Sequence, residues 1–287
     1  MKKNFSLISL GCARTLVDSE QMVQSMQSVG FAMVPEGTKE EVTVLNTCSF
    51  IQDAIIETEQ NIELLINRKK DNIIKTICVV GCYPSRFKEP ELKEKYPEVD
   101  LWCTTKDEST LHQRLGELVF KRRYTPEKKQ RYTKLSPSHY AYLKISEGCD
   151  NWCTFCTIPK IRGKHNSKTI EEIRQDAKLQ IAMGAKELII IAEDTTAWGE
   201  DIYGEPSLEK LIEGLADLDA WIRLMYIFPS RVTDRLIKAM AETKNIIPYI
   251  DIPIQHVNTE LLSAMNRRHD KAFLEQMITD MRTAIPD

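Results

Sequence analysis

The sequence lacks any apolar run near the ~18 residues that a membrane-spanning helix requires, so no span is expected. It lacks an excess of basic charge: 39 Lys and Arg face 42 Asp and Glu, a formal net charge of −3. No global positive field therefore favours nucleic acid, although a local basic patch remains open. Internal repeats and low-complexity tracts are absent. So is the cysteine density of a short secreted scaffold, because eight cysteines are spread over 287 residues. Metal ligands, catalytic thiols or core residues explain them better than disulfides. The start Met1-Lys2-Lys3 superficially resembles a secretory signal. The apolar stretch Phe5–Leu10 is too short for its hydrophobic region, however, and alternates as a strand does. A cytoplasmic setting with no membrane partner is expected.

Hydrophobic residues make up 42% and charged residues 28%, the balance of a globular protein long enough for two domains. Strand-like runs at Phe5–Leu10, Thr43–Asn46 and Lys75–Val80 alternate with helical runs near 16–29, 52–68, 89–95 and 110–116. Such alternation predicts a parallel α/β sheet. From Lys121 to Pro137 basic residues and prolines replace apolar periodicity, which reads as a linker or exposed hairpin. A solvated surface is the plain reading of that stretch, and an RNA-contacting patch the alternative. Beyond it a second run of βα units begins: strands at Tyr140–Ile145, Glu187–Ala192, Trp221–Ile227 and Tyr249–Ile254, with helices near 169–183, 207–218, 233–242 and from about Thr259 or Lys271 to Ala284. The expected domains are residues 1–125 and 138–287, joined by a linker at 126–137. The second is a partial βα barrel or a doubly wound sheet.

The chemistry is concentrated in Cys149-Asp150-Asn151-Trp152-Cys153-Thr154-Phe155-Cys156, a C-x3-C-x2-C spacing directly after a strand. Three thiolates on one loop can ligate three irons of a cubane cluster and leave the fourth open. An open position is what a metal centre needs to bind a substrate. The competing reading is a structural zinc site, which wants a fourth ligand such as His165. In the first domain, Gly11-Cys12, Thr47-Cys48 and Gly81-Cys82 end three successive predicted strands. The carboxyl edge of a parallel sheet is its ligand-binding edge, so these three can converge on a second site. Buried core cysteine is the alternative for each. It is the expected state of Cys78 and Cys103.

These motifs resemble the radical-SAM methylthiotransferases. The matching stretches are Ser9-Leu10-Gly11-Cys12, Leu16-Val17-Asp18-Ser19-Glu20, Asn46-Thr47-Cys48-Ser49-Phe50-Ile51 and Gly81-Cys82 in the first domain. In the second they are Ser146 to Cys156, Ile158-Pro159-Lys160-Ile161-Arg162-Gly163-Lys164-His165, Asp194-Thr195-Thr196 and Asp251 to His256. The resemblance implies a Rossmann-like N-terminal domain and an incomplete TIM-type βα barrel of the radical-SAM kind. It implies two [4Fe–4S] clusters, one on Cys12, Cys48 and Cys82 and one on Cys149, Cys153 and Cys156, with S-adenosylmethionine cleaved at the latter. Phe155 is then expected near the adenine. Within the family the sequence is more similar to the type that methylthiolates an aspartate of a small-subunit ribosomal protein. A tRNA substrate bearing isopentenyladenosine is the alternative. An electron donor such as flavodoxin or ferredoxin is implied. A non-catalytic iron–sulfur electron-transfer protein is the reading outside enzymes.

Glu193 and Asp194 end the second barrel strand and His256 ends the fourth, where polar groups of a βα barrel face its site. Each is a candidate contact to S-adenosylmethionine or substrate, or a hydrogen-bonded loop residue. Family members often carry glutamine at the position of Glu193. Arg162 is a candidate carboxylate contact or a solvated side chain. The four tryptophans are expected to pack. Family members continue past the position of Asp287 with two further strands and a small β-barrel (TRAM-like) module, so the sequence resembles a truncated form. Strand Tyr249–Ile254 is then expected to be an uncovered edge.

Overall fold

The computed structural model describes residues 3–121 and 132–286. Half of the expected linker, residues 126–131, and the core of the basic stretch lie outside the described residues. The chain divides into two compact units. One is Met1–Leu135 with Lys160–Arg162, and the other is Ser136–Pro159 with Gly163–Asp287.

The first unit is a five-stranded parallel sheet, order β2-β1-β3-β4-β5. Its strands are β1 (Lys3–Ser9), β2 (Phe31–Met33), β3 (Val42–Thr47), β4 (Thr76–Gly81) and β5 (Leu101–Thr104), and its helices are α1 (Ala13–Ser28), α2 (Gln52–Lys70), α3 (Cys82–Arg86), α4 (Glu89–Lys95) and α5 (Leu111–Phe120). The period-two alternation of the strands builds a core on each face. Val42, Val44, Cys78, Val80 and Cys103 pack with α1 and α5 residues such as Met22, Val23, Met26, Leu111 and Leu115. Leu45, Ile77, Val79 and Trp102 pack on the other side with Ile62, Leu65, Tyr83 and Leu92. Cys78 and Cys103 are wholly buried there. Burial and the nearby Cys103 push the Cys78 thiol well up, and burial pushes Cys103 to about 12, so both stay protonated. Helix α2 carries Asp53 in its first turn and Arg68, Lys69 and Lys70 in its last, a charge order that suits the helix dipole.

The second unit holds a four-stranded parallel sheet, order β11-β10-β9-β6, and a two-stranded ribbon of β7 and β8. The strands are β6 (Tyr140–Lys144), β7 (Ser146–Glu147), β8 (Asn166–Ser167), β9 (Glu187–Ile191), β10 (Trp221–Leu224) and β11 (Ile246–Ile250). The helices are α6 (Ile158–Arg162), α7 (Ile170–Ala182), α8 (Glu200–Tyr203), α9 (Leu208–Leu215), α10 (Asp234–Glu242), α11 (Thr259–Ala264) and α12 (Lys271–Ala284). The last three residues of α6, Lys160–Arg162, group with the first unit. Strand β9 is the nearly continuous apolar run Leu188-Ile189-Ile190-Ile191, as an interior parallel strand requires. The core gathers Leu188, Ile190, Ile222 and Leu224 with Ile173, Leu211, Leu215, Leu236, Leu274 and Met277 from α7, α9, α10 and α12. The final predicted strand is displaced: β11 runs Ile246–Ile250 rather than 249–254. Pro248 lies within it, and an edge strand tolerates the lost N–H. Thr259 and Lys271 each start a helix, where a single helix was expected. The tryptophans divide: Trp102 and Trp198 are buried, while Trp152 and Trp221 are exposed. No helix among the described residues is long and apolar enough to cross a membrane.

Candidate cluster sites

In the first unit the three predicted cysteines follow three adjacent parallel strands. Cys12 precedes α1 just beyond β1, Cys48 follows β3, and Cys82 begins α3 directly after β4. Charge on Cys48 or Cys12 raises the Cys82 pKa, which places the three thiols within electrostatic reach of one another. Gly11 lets the chain pass Cys48: it sits at φ +95°, and a Cβ there would lie 2.7 Å from the Cys48 Cβ and 3.3 Å from its Sγ. Asn46 behind this edge donates to the Thr15 carbonyl at 3.1 Å and the Ser19 hydroxyl at 2.9 Å, tying β3 to α1.

The thiols are not equivalent. Burial raises Cys12, but the Arg14 charge and the backbone N–H groups of Thr15 and Arg14 outweigh it, so its pKa falls below the ordinary value. Burial pushes Cys82 up to about 11, against the pull of Arg162. The sequence left Arg162 as a carboxylate contact or a solvated side chain, and the structure decides. Arg162 is buried and its Nη2 donates to Asp18 Oδ2 at 3.0 Å. The pair stands beside Cys82, all within the first unit.

In the second unit, β7 pairs antiparallel with β8, Ser146 with Ser167 and Glu147 with Asn166. This ribbon closes the loop that carries Cys149, Cys153 and Cys156. The Cys149 N–H donates to the Gly163 carbonyl at 3.2 Å, and the Cys156 N–H to the Cys153 carbonyl at 2.9 Å. Gly148 has φ +74°, and a Cβ on it would stand 2.1 Å from the Lys164 carbonyl oxygen. Burial raises Cys149 to about 12, with Asp194, Cys153 and Cys156 adding to the rise. His165, the alternative zinc ligand, bonds through Nε2 to the Ser167 hydroxyl at 3.0 Å. Among the described residues no three His, Cys, Asp or Glu side chains are gathered tightly enough to hold one ion. A cubane spreads its thiolates over different irons and makes no such demand. In each unit the donor set is three thiols, and in the first Gly11 keeps a side chain away from Cys48, a donor chemistry that fits a cluster with one open iron.

The remaining predicted residues separate. Phe155 lies in the cysteine loop and is about half exposed. Glu193 is half-buried just beyond β9. His256 is exposed, six residues past the end of β11, and its Nδ1 accepts from the Asn258 N–H at 2.8 Å. Asp194 is buried inside the protein, and its two carboxylate oxygens are engaged there. One accepts from Thr196 Oγ1 at 2.5 Å and the Ala197 N–H at 3.2 Å. The other accepts from Asn151 Nδ2 and from Arg231 Nη1, both at 2.7 Å. Asn151 belongs to the cysteine loop, and its Oδ1 in turn accepts from Arg231 at 2.5 Å. Asp194 thus clamps that loop to the ends of β9 and β10. Sequence reasoning missed Asn151 and Arg231 because neither carries a motif of its own.

Residues 143–287 match the Radical SAM superfamily, and residues 4–104 match the uncharacterized protein family UPF0004. The whole chain aligns at 38% identity with ribosomal protein uS12 methylthiotransferase RimO of Citrifermentans bemidjiense, and at 36% with that of Geobacter sulfurreducens. With RimO of Aquifex aeolicus it is 39% identical over 97% of its length. The chain spans 66% of the length of the first two relatives and 62% of the third. The fold is similar to the radical S-adenosylmethionine methyltransferase TsrM of Kitasatospora setae, with TM-score 0.70, 10% identity, and 99% of this chain and 65% of that chain covered. It is also similar to the cobalamin-dependent S-adenosylmethionine radical enzyme OxsB, at TM-score 0.69 and 13% identity over 97% of this chain and 47% of that one.

Proposed function

We propose that this chain, which belongs to the radical SAM superfamily, is the catalytic part of a methylthiotransferase acting on an aspartate of ribosomal protein uS12. The observation that carries the reading is identity of 36–39% to relatives bearing that name, over 97–100% of this chain. The two cysteine triads support it, because such a reaction needs both a radical source and a sulfur source. In this reading Cys149, Cys153 and Cys156 hold one [4Fe–4S] cluster, and Cys12, Cys48 and Cys82 hold the other. When bound, the first supplies the electron that cleaves S-adenosylmethionine toward a 5′-deoxyadenosyl radical, and the second serves sulfur delivery.

The chain's own residues do the positioning. Gly148, at positive φ, brings the start of the cysteine loop against the Lys164 backbone. Asn151, held by Asp194 and Arg231, fixes the segment between Cys149 and Cys153. Asn266 Nδ2 donates to the Asn151 and Trp152 carbonyls, both at 3.1 Å, and fixes the same segment from another side. Such pre-organisation holds reacting groups within the narrow range that radical transfer to a C–H bond demands. In the first unit, the buried Arg162 places a positive charge beside Cys82 and favours its thiolate.

The test is anaerobic incubation of the reconstituted chain with S-adenosylmethionine, a reductant and either uS12 or tRNA bearing isopentenyladenosine, followed by mass spectrometry. A methylthio group on one uS12 aspartate supports the reading. 5′-Deoxyadenosine formed with uS12 unmodified, and a methylthio group instead on isopentenyladenosine in tRNA, would replace the substrate and keep the chemistry.

A further inference from the structure

Two arginines flank the ring of Phe228, just beyond β10. The guanidinium carbon of Arg231 is 5.5 Å from the ring centroid, and that of Arg267 is 4.4 Å. Arg231 uses its charge within the protein, on Asp194 at 2.7 Å and Glu200 at 3.3 Å. Arg267 has no ion pair among the described residues. It is 9% exposed, and its Nε and Nη1 are buried without a hydrogen-bond partner among those residues. Beside it, His269 is kept toward the neutral form by burial, to which the Arg267 charge adds. A guanidinium removed from water with unused N–H groups carries a large desolvation cost. Aromatic faces offset only part of that cost. The unmet need is for an anionic oxygen acceptor, and a carboxylate is a strong acceptor for a guanidinium.

The position of Arg267 says where such an anion would come from. Its guanidinium carbon is 5.7 Å from the ring centroid of Phe155, the residue just before Cys156 in the loop. The segment that carries Arg267 is fastened to that loop. Thr154 donates from its hydroxyl to the Ala264 carbonyl at 2.9 Å and from its N–H to the Met265 carbonyl at 3.3 Å. The bonds from Asn266 to the Asn151 and Trp152 carbonyls, described above, complete the fastening. Arg267 is therefore held against the cysteine loop with its charge unspent.

We propose that Arg267 is a carboxylate-binding residue of this site, walled by Phe155 and Phe228. Two carboxylates reach the loop under the function proposed above, on which this inference rests: the amino-acid end of S-adenosylmethionine and the side chain of the target aspartate. The guanidinium of Arg267 binds one of them.

The test is calorimetric titration of the full chain and of its R267M and R267K variants. The probes are S-adenosylhomocysteine, 5′-methylthioadenosine, which lacks the amino-acid end, and uS12 peptides carrying either aspartate or asparagine at the target position. If the cofactor carboxylate is the ligand, R267M weakens S-adenosylhomocysteine at least tenfold and leaves methylthioadenosine unchanged. If the substrate carboxylate is the ligand, R267M weakens the aspartate peptide but not the asparagine peptide. In either case R267K keeps part of the affinity. Unchanged binding of all four probes overturns the assignment. So does an equal loss for S-adenosylhomocysteine and methylthioadenosine, which would report a collapsed pocket; both outcomes leave the radical-SAM reading standing. A wild-type chain that binds neither nucleoside overturns both.

Discussion

Cys12 and Cys149 show how one residue type is tuned in opposite directions. Cys12 sits at the start of α1, where the Arg14 charge and backbone N–H groups outweigh burial and lower its pKa. Cys149 is raised to about 12 and Cys82 to about 11, both by burial first. A lowered pKa means a larger thiolate fraction at every pH below it, and the thiolate is the form that alkylates. In the metal-free chain near about pH 8, iodoacetamide is therefore expected to label Cys12 well before Cys82 and Cys149, read by peptide mass spectrometry. Labelling of Cys149 first would refute the assigned environments. Gly148 gives a second prediction at this scale. Alanine there must accept φ +74° and a Cβ 2.1 Å from a backbone oxygen. Gly148→Ala is expected to cost about 1–3 kcal/mol in denaturant unfolding and to remove iron from the second unit. An unchanged midpoint and iron content would contradict this.

At the scale of elements, the loop between β7 and β8 is held by strands it does not belong to. Asp194, past β9, binds both Asn151 of the loop and Arg231, past β10. Asp194→Asn removes the nearer and more buried of the two carboxylates that pair with the largely buried Arg231 guanidinium, leaving only Glu200. A loss of about 3 kcal/mol is expected by thermal or chemical unfolding, with slower uptake of iron by the loop. Asn151→Ala should cost less stability and slow uptake comparably, because it frees the loop while sparing the ion pair. The ends of helices give a smaller check. Thr169 caps α7 in a reciprocal box with Glu172, so Thr169→Ala should cost about 1 kcal/mol.

The elements also show what could be read from the sequence. Turn residues after a strand (Gly11-Cys12, Thr47-Cys48 and Gly81-Cys82) put these cysteines at strand ends, and the parallel order β1-β3-β4 makes those ends neighbours. That inference needed only period-two alternation and turn chemistry. Asp194 was read as facing the site because it ends a strand. Its actual partners, Asn151 and Arg231, are distant in sequence and have no periodicity to announce them. Arg267 had no signal at all, since its environment is two phenylalanines from other segments. Strand β11 was misplaced because apolar residues on both sides of Pro248 and Pro253 fit either register. His256 was read as ending that strand for the same reason, and it lies six residues past the end of β11.

At the scale of the whole molecule, each unit contributes one cysteine triad on its own sheet or loop. The chain also aligns end to end, or nearly so, with named methylthiotransferases. The account therefore predicts that the triads load independently. The most direct measurement is iron counting after anaerobic reconstitution with iron and sulfide, on the wild type and on two triple variants. In one variant Cys12, Cys48 and Cys82 are changed to Ala, and in the other Cys149, Cys153 and Cys156. Roughly eight irons are expected for the wild type and roughly four for each variant. 5′-Deoxyadenosine should form from S-adenosylmethionine with the wild type and the first variant only. Tightly bound zinc in place of iron, or both variants losing all iron together, or nucleoside formation by the second variant, would contradict the account.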